Sequence, residues 1–299
     1  MKALLLGSTG FIGGSLQAQR PNWDWTLCNS KTFDLNTFTG TVDYHDVVIN
    51  CSGFYGGLPF NTLYASEIVT RNARQYATID RIVREIEPVK IVNIGSGCMY
   101  PGNIENTMSE DQIDTGKYHP SVVYSGISKR LSLDYLRQLP KNIGWEFLIL
   151  SNVYGPGEPT DPEKSHVVGG LISKFLQGNT KLMGTGSGVR DFFYIEDAAE
   201  AICRYAEIPA TNSHSNISSG AGINIRDLVE IIQKHTGVDN VTWSNNTQED
   251  GVPIKVLNNT KMQQDIGTWS YKNIDTGIQN TVEYIRNANT VLSSIRQIK

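Results

Sequence analysis

The residues with the clearest capacity for chemistry stand near the start of the chain. Gly7-Ser8-Thr9-Gly10-Phe11-Ile12-Gly13 spaces its glycines as G-x-x-G-x-x-G. Gly7 permits a tight turn, Gly10 offers no Cβ to hold a pyrophosphate off the backbone, and Gly13 lets a helix pack close to a strand. With Thr9, Phe11 and Ile12 they form a candidate dinucleotide loop, where a helix N-terminus presents N–H donors and partial positive charge to phosphate. Such a pattern is weak alone and strong between a strand and a helix. The second strand ends at Cys28-Asn29-Ser30-Lys31. NAD-binding folds place a carboxylate there for the ribose 2′-OH. Here Asn29, Ser30 and Lys31 offer none, and Lys31 can pair with a 2′-phosphate. This points to NADP(H), with NAD as the alternative and Asp34 placed to touch the adenine side.

The elements that must position this loop follow from hydrophobic periodicity. Residues 2–6 read as a buried strand, 10–18 as a helix, 25–28 and 46–50 as further strands. Ile68, Val69, Ala73, Tyr76, Ile79, Ile82, Val83 and Ile86 recur at helical spacing, and that helix must stop before Pro88. Strands are expected at 89–94 and 145–150. A helix is expected over 125–139, with Ile127, Leu131, Tyr135 and Leu136 facing inward. Short, continuously apolar strands alternating with helices imply a doubly wound parallel Rossmann sheet. Residues 1–155 form the expected dinucleotide-binding domain, completed by about 188–215. Residues 156–299 form mainly a smaller, partly interleaved α/β substrate lobe, with helices near 167–177 and 226–236 and a strand near 181–183.

Two later segments carry further reactive side chains: Ser96-Gly97-Cys98-Met99-Tyr100-Pro101 and Tyr124-Ser125-Gly126-Ile127-Ser128-Lys129. With the glycine loop they resemble the extended short-chain dehydrogenase/reductase family, also described as NAD-dependent epimerases/dehydratases. Asn152-Val153-Tyr154-Gly155-Pro156-Gly157 and Arg190-Asp191-Phe192-Phe193-Tyr194 are similar to segments of its nucleotide-sugar members. The resemblance runs to about residue 285. Gly56-Gly57, the loop Asp161-Pro162-Glu163-Lys164-Ser165-His166-Val167 and Asp250-Gly251-Val252-Pro253-Ile254-Lys255 are most similar to enzymes that epimerise and reduce a GDP-linked 4-keto-6-deoxy sugar.

The resemblance implies roles. Ser96, a tyrosine and Lys129 would protonate the developing alkoxide during hydride transfer, with Lys129 also holding the nicotinamide ribose and Asn72 supporting it. Cys98 and His166 would be the base and acid of epimerisation. Asn152, Arg190 and Lys255 would hold the substrate, and an arginine suits bidentate pairing with a diphosphate. One departure stands out. The family places its tyrosine four residues before the lysine, and here that position is Ser125, with Tyr124 five before. Either the helix start is reshaped so that Tyr124 reaches the substrate, or the phenol is absent there and Ser125 or water takes its place. One residue is about 100° around a helix, so a regular helix misdirects Tyr124.

The resemblance therefore implies an NADP-dependent nucleotide-sugar epimerase/reductase. The alternatives are a 4-keto reductase or an epimerase of another sugar, including a heptose, and a catalytically retired cofactor binder. A homodimer through the helices at 65–86 and 125–139 is implied too. The 299 residues carry 26 Lys and Arg against 30 Asp and Glu, a net charge of −4, which disfavours a nucleic-acid partner. The mean hydropathy is −0.28, and no stretch approaches the roughly 18 apolar residues a membrane helix needs. Met1-Lys2 leads into only four apolar residues, and Cys28, Cys51, Cys98 and Cys203 match neither a zinc nor a disulfide frame. The expectation is a reducing cytoplasm and no metal site. His45 is expected at the surface.

Overall fold

The computed structural model describes residues 1–162, 164–247 and 250–297; Glu163 of the His166 loop, Gln248, Glu249 and the last two residues of the C-terminal lobe lie outside the described residues. Along the chain run β1 (Lys2–Leu6), α1 (Phe11–Gln19), β2 (Asp24–Cys28), β3 (Val47–Asn50), α2 (Leu58–Leu63), α3 (Ala65–Ile86), β4 (Lys90–Ser96), α4 (Val123–Leu136) and β5 (Gly144–Leu150). There follow β6 (Asn152–Tyr154), α5 (Val167–Leu176), β7 (Lys181–Leu182), β8 (Val189–Tyr194), α6 (Ile195–Glu207), β9 (Ser213–Ile217) and β10 (Gly222–Asn224). The chain continues with α7 (Ile225–Thr236), β11 (Thr242–Trp243), β12 (Ile254–Lys255), α8 (Thr260–Ile266) and α9 (Ile274–Gln297).

The main sheet has six strands in the order β2-β1-β3-β4-β5-β9, and every pairing is parallel. Successive strand residues point to opposite faces. Ala3, Leu5, Val47, Ile49 and Val92 therefore join one apolar core, with Leu16, Ile172 and Ile202. Leu4, Leu6, Val48 and Ile91 join the other, with Ile79, Val83 and Leu133. Both faces are covered, which is why these strands read as unbroken apolar runs. Each fully buried leucine or isoleucine is worth about 1.5–3 kcal/mol. The strand order reverses between β1 and β3, and a doubly wound sheet opens its ligand crevice beyond the carboxyl ends of the strands at that point. A smaller sheet runs β10-β8-β12, with β6 also paired to β8. It brings Asn152, Arg190 and Lys255 onto neighbouring strands, with Asn152 opposite Phe192 and Lys255 opposite Arg190.

The α4 face corrects the sequence reading. Ile127 and Leu131 are exposed, while Ser125, Ser128, Lys129 and Ser132 are buried with Leu133 and Leu136. The apolar spacing was that of an outer stripe, and the inward face carries serines and Lys129 beside Leu133 and Leu136. His45 is also corrected: it is buried, its ring bonded to the Thr26 hydroxyl at 2.7 Å and the Asp43 carbonyl at 2.8 Å. Among the described residues no helix is long and apolar enough to cross a membrane.

Candidate active site

The glycine loop turns directly off β1. Gly7 sits at φ 81°, a left-handed conformation that glycine adopts without strain. A Cβ on Gly13 would lie 2.3 Å from the Gly7 carbonyl oxygen, so this helix cannot approach this strand with any other residue there. Gly10 is the N-cap of α1 and supplies no side-chain cap, which leaves the first N–H groups of the helix facing outward. Beside them is a cleft of about 200 Å³, lined by Gly7, Thr9, Gly10, Asn29, Ser30 and Asp34 among others. These residues fit a dinucleotide: open amides for the pyrophosphate, and polar groups from the end of β2 for the ribose. The Asn29 side chain accepts the Lys31 backbone N–H at 2.9 Å and so shapes that turn. The Lys31 side chain is exposed. Asp34 is held below its usual carboxylate range by the Asn36 backbone and side-chain amides.

At the end of β4 the chain enters a short 3-10 turn over Gly97–Met99, with the Ser96 hydroxyl accepting the Cys98 N–H at 3.4 Å. Lys255 Nζ donates to Cys98 Sγ at 3.6 Å. Burial alone would raise the Cys98 thiol, but the Lys255 ammonium, the Ser96 hydroxyl and Lys129 reverse this, and the net direction is down. The other cysteines go up through burial: Cys28 to about 11, Cys51 to about 12 and Cys203 to about 12. The thiolate is the reactive form, so at neutral pH a haloacetamide should label Cys98 first. Lys255→Met removes the ammonium that lowers the thiol and should slow that labelling several-fold, as read by mass spectrometry of the intact protein.

His166 is the N-cap of α5. The residue as a whole is exposed, yet crowding of its ring by protein atoms and the Lys255 charge hold its pKa below the ordinary histidine value. Lys255 thus acts on both members of the expected acid–base pair, a role that spacing does not signal; the resemblance implied a substrate contact. The Arg190 guanidinium donates to the Val189 carbonyl at 2.8 Å and lies 3.5 Å from that of Pro253. Asn152 donates to the Asp191 carbonyl at 2.8 Å.

Lys129 is buried on α4 and donates to the Ile94 carbonyl at 2.7 Å. Burial lowers its pKa to about 8, partly offset by Cys51 and Cys98. Of the two alternatives at this helix start, a reshaping that carries Tyr124 toward Lys129 is not seen. The Tyr124 side chain is 45% exposed, on the outer face with Ile127 and Leu131, because α4 is regular from Val123 and one residue's rotation turns it away from Lys129. Ser125 holds the inward position, hydrogen-bonded to the Asn61 side chain. Asn72 is buried but clamps Phe54: its Oδ1 accepts the Phe54 N–H at 2.7 Å and its Nδ2 donates to the Phe54 carbonyl at 3.2 Å. Sequence reasoning missed Asn61 and Tyr55 here, although the Gly56-Gly57 pair beside Tyr55 marked the segment.

Glu158 was also missed. It is buried, and neither carboxylate oxygen has a hydrogen bond of good geometry, although the Gly155 and Gly169 N–H groups lie close. Burial raises its pKa to about 8. A folded-state pKa above the unfolded value of about 4.3 means that the native state holds the extra proton, so stability falls as pH rises from about 4 to 8. Glu158→Gln should flatten that fall and raise the melting temperature at pH 8 by the equivalent of a few kcal/mol. An unchanged pH dependence would show that the carboxyl ionises freely.

The family model for the NAD dependent epimerase/dehydratase family matches residues 3–218. The chain belongs to this family. Among curated members it is 25% identical to a GDP-L-fucose synthase of Azorhizobium caulinodans, over 97% of this chain and 98% of that one. It is 26% identical to a GDP-L-colitose synthase of Yersinia pseudotuberculosis, over 96% and 98%. Among solved structures, a GDP-6-OMe-4-keto-L-xylo-heptose reductase from C. jejuni superposes with a TM-score of 0.85 at 18% identity, over 96% of this chain and 98% of that one. A GDP-L-fucose synthetase from Naegleria fowleri bound to NADP gives 0.83 at 20% identity, over 96% and 95%. The six-stranded parallel sheet and its helices are thus the family's Rossmann-type α/β fold.

Proposed function

We propose that the chain is an NADP(H)-dependent epimerase/reductase of a GDP-linked 4-keto-6-deoxy sugar. The observation that carries the reading is the placement of one ammonium, Lys255, against Cys98 and within electrostatic reach of His166. Protons beside a C4 ketone are acidic, and inversion there needs a base and an acid. A thiol lowered by a neighbouring cation is the base, and a histidine whose pKa is held below the ordinary value, so that it gives up its proton readily, is the acid. The GDP-L-fucose and GDP-L-colitose synthases that match nearly the whole chain support a GDP-linked substrate, and the NADP-bound neighbour supports the cofactor. Ser96 and Lys129 serve the reduction, Lys129 also holding the nicotinamide ribose. Asn152 and Arg190 grip the substrate, and the open amides around Gly10 take the pyrophosphate. The bound dinucleotide supplies hydride for the ketone. Cys98→Ser should abolish deuterium uptake at C3 and C5 of GDP-4-keto-6-deoxymannose in heavy water; uptake at the wild-type rate would remove Cys98 from the mechanism.

The same reading includes a cytoplasmic homodimer. Tyr124, Ile127 and Leu131 are exposed on one flank of α4 at 45%, 39% and 43%, an i, i+3, i+7 stripe suited to a second copy. Leu131→Glu should convert a dimer to a monomer in light scattering.

A further inference from the structure

We propose that Tyr55 supplies the phenol of the reduction step, in place of the tyrosine absent at position 125. The inference rests on the reductase reading above.

Three side-chain hydroxyls could answer for the missing group, and the structure separates them. Tyr124 faces outward. Ser125 carries an aliphatic hydroxyl, a far weaker proton donor than a phenol, and it is bonded to Asn61. Tyr55 remains, and its ring lies against the lysine: Lys129 Nζ is 4.3 Å from the ring centroid. Its hydroxyl is 2.9 Å from Ser128 Oγ, on the residue next to Lys129, and 2.9 Å from the Tyr76 hydroxyl. The pairing of a phenol with a buried ammonium is therefore kept, with the phenol delivered from a loop instead of the helix turn before Lys129.

The seat is built for this ring. The segment leaves β3 at the carboxyl edge of the sheet, where Cys51, Ser52 and Gly53 already line the cofactor cleft. Asn72 fixes Phe54 through both its amide hydrogen-bonding groups. A Cβ on Gly53 would lie 2.4 Å from Tyr55 Cε2, so the ring folds back over Gly53 and any side chain there would push it off this seat. Cys98 is near enough for its charge to act on the phenol, and burial keeps that phenol protonated.

The step balances. The carbonyl carbon at C4 takes hydride from the reduced dinucleotide, and the π pair of the C=O bond moves to oxygen. That oxygen takes the Tyr55 proton and becomes the alcohol. The phenolate left behind is stabilised by the Lys129 ammonium and regains a proton, ultimately from solvent, through its hydroxyl neighbours. One ketone, one NADPH and one proton give one alcohol and one NADP+.

Tyr55→Phe keeps the ring on Lys129 and removes only the hydroxyl. With GDP-4-keto-6-deoxymannose, NADPH oxidation should fall by about 10²–10⁴-fold, the size of a lost general acid. NADPH affinity, read by fluorescence, and deuterium uptake at C3 and C5 should persist, and Tyr124→Phe should oxidise NADPH at the wild-type rate. A Tyr55→Phe rate within about threefold of wild type would overturn the proposal, since losing a general acid costs far more. So would a loss of rate matched by a loss of NADPH binding, because the role would then be structural. Wild-type protein that oxidises no NADPH with this substrate overturns the reductase reading and the proposal together; an active wild type with an active Tyr55→Phe overturns the proposal alone.

Discussion

Lys129→Met should lower the rate of NADPH oxidation by about 10³-fold, within the range expected for losing a group that assists proton transfer. The side chain is buried and has one hydrogen bond, to the Ile94 carbonyl at 2.7 Å. Methionine nearly matches its length and leaves the packing intact, so the loss should appear as chemistry and not as unfolding. The ammonium stabilises negative charge on a nearby oxygen, an interaction strengthened where water is excluded. Its pKa, lowered by burial to about 8, adds a signature. The charged form is the active one and is lost as pH rises through that value, so the wild-type rate should decline above about pH 8. Lys129→Arg should move the decline upward, since a guanidinium does not deprotonate in this range. A methionine variant with the wild-type rate would place the active site elsewhere.

Gly10→Val should leave the protein folded and remove dinucleotide binding. A Cβ at this N-cap would sit 3.3 Å from the Gly7 carbonyl oxygen, a tight contact that a small shift relieves. The same Cβ and its methyl groups project into the cleft where the pyrophosphate must meet the first amides of α1. Each charge-assisted hydrogen bond lost costs about 1.5–3 kcal/mol, so losing two weakens binding by at least about a hundredfold. Fluorescence titration with NADPH measures this, and circular dichroism confirms the fold. Unchanged affinity would show that the loop holds no phosphate. Gly13→Val differs: its Cβ would be 2.3 Å from a backbone oxygen, so it should destabilise α1 against β1 before binding can be tested.

The parts of the fold that were legible in the sequence are those whose physics is local. β1, β3, β4 and β5 are apolar on both faces because helices cover both sides, and the end of α3 at Ile86 is dictated by Pro88. The glycine loop was legible because each glycine answers a separate steric demand. The catalytic helix was not. Ile127 and Leu131 recur at core-like spacing, yet they form the outer stripe, since the inward face carries Ser125, Ser128, Lys129 and Ser132. Periodicity marks an apolar stripe and not what covers it. The resemblance implied Lys255 as a substrate ligand, but its contact with Cys98 joins residues 157 apart in sequence and could not be read from spacing. Tyr55 lies in a glycine-rich segment with no periodicity, and its ring meets Lys129 only through tertiary packing. The misplaced tyrosine at 124 was visible in the sequence; what compensates for it was not.

The proposed function requires one site to perform both proton exchange beside a C4 ketone and hydride transfer to it. The direct measurement incubates the wild-type protein with NADPH and GDP-4-keto-6-deoxymannose in heavy water, following cofactor oxidation by absorbance and deuterium at C3 and C5 by NMR. Both signals are expected, with deuterium at both carbons of the reduced product. NADPH oxidation that gives a product without deuterium at C3 or C5 would contradict the proposed function, because Cys98 and His166 would then flank a simple reductase.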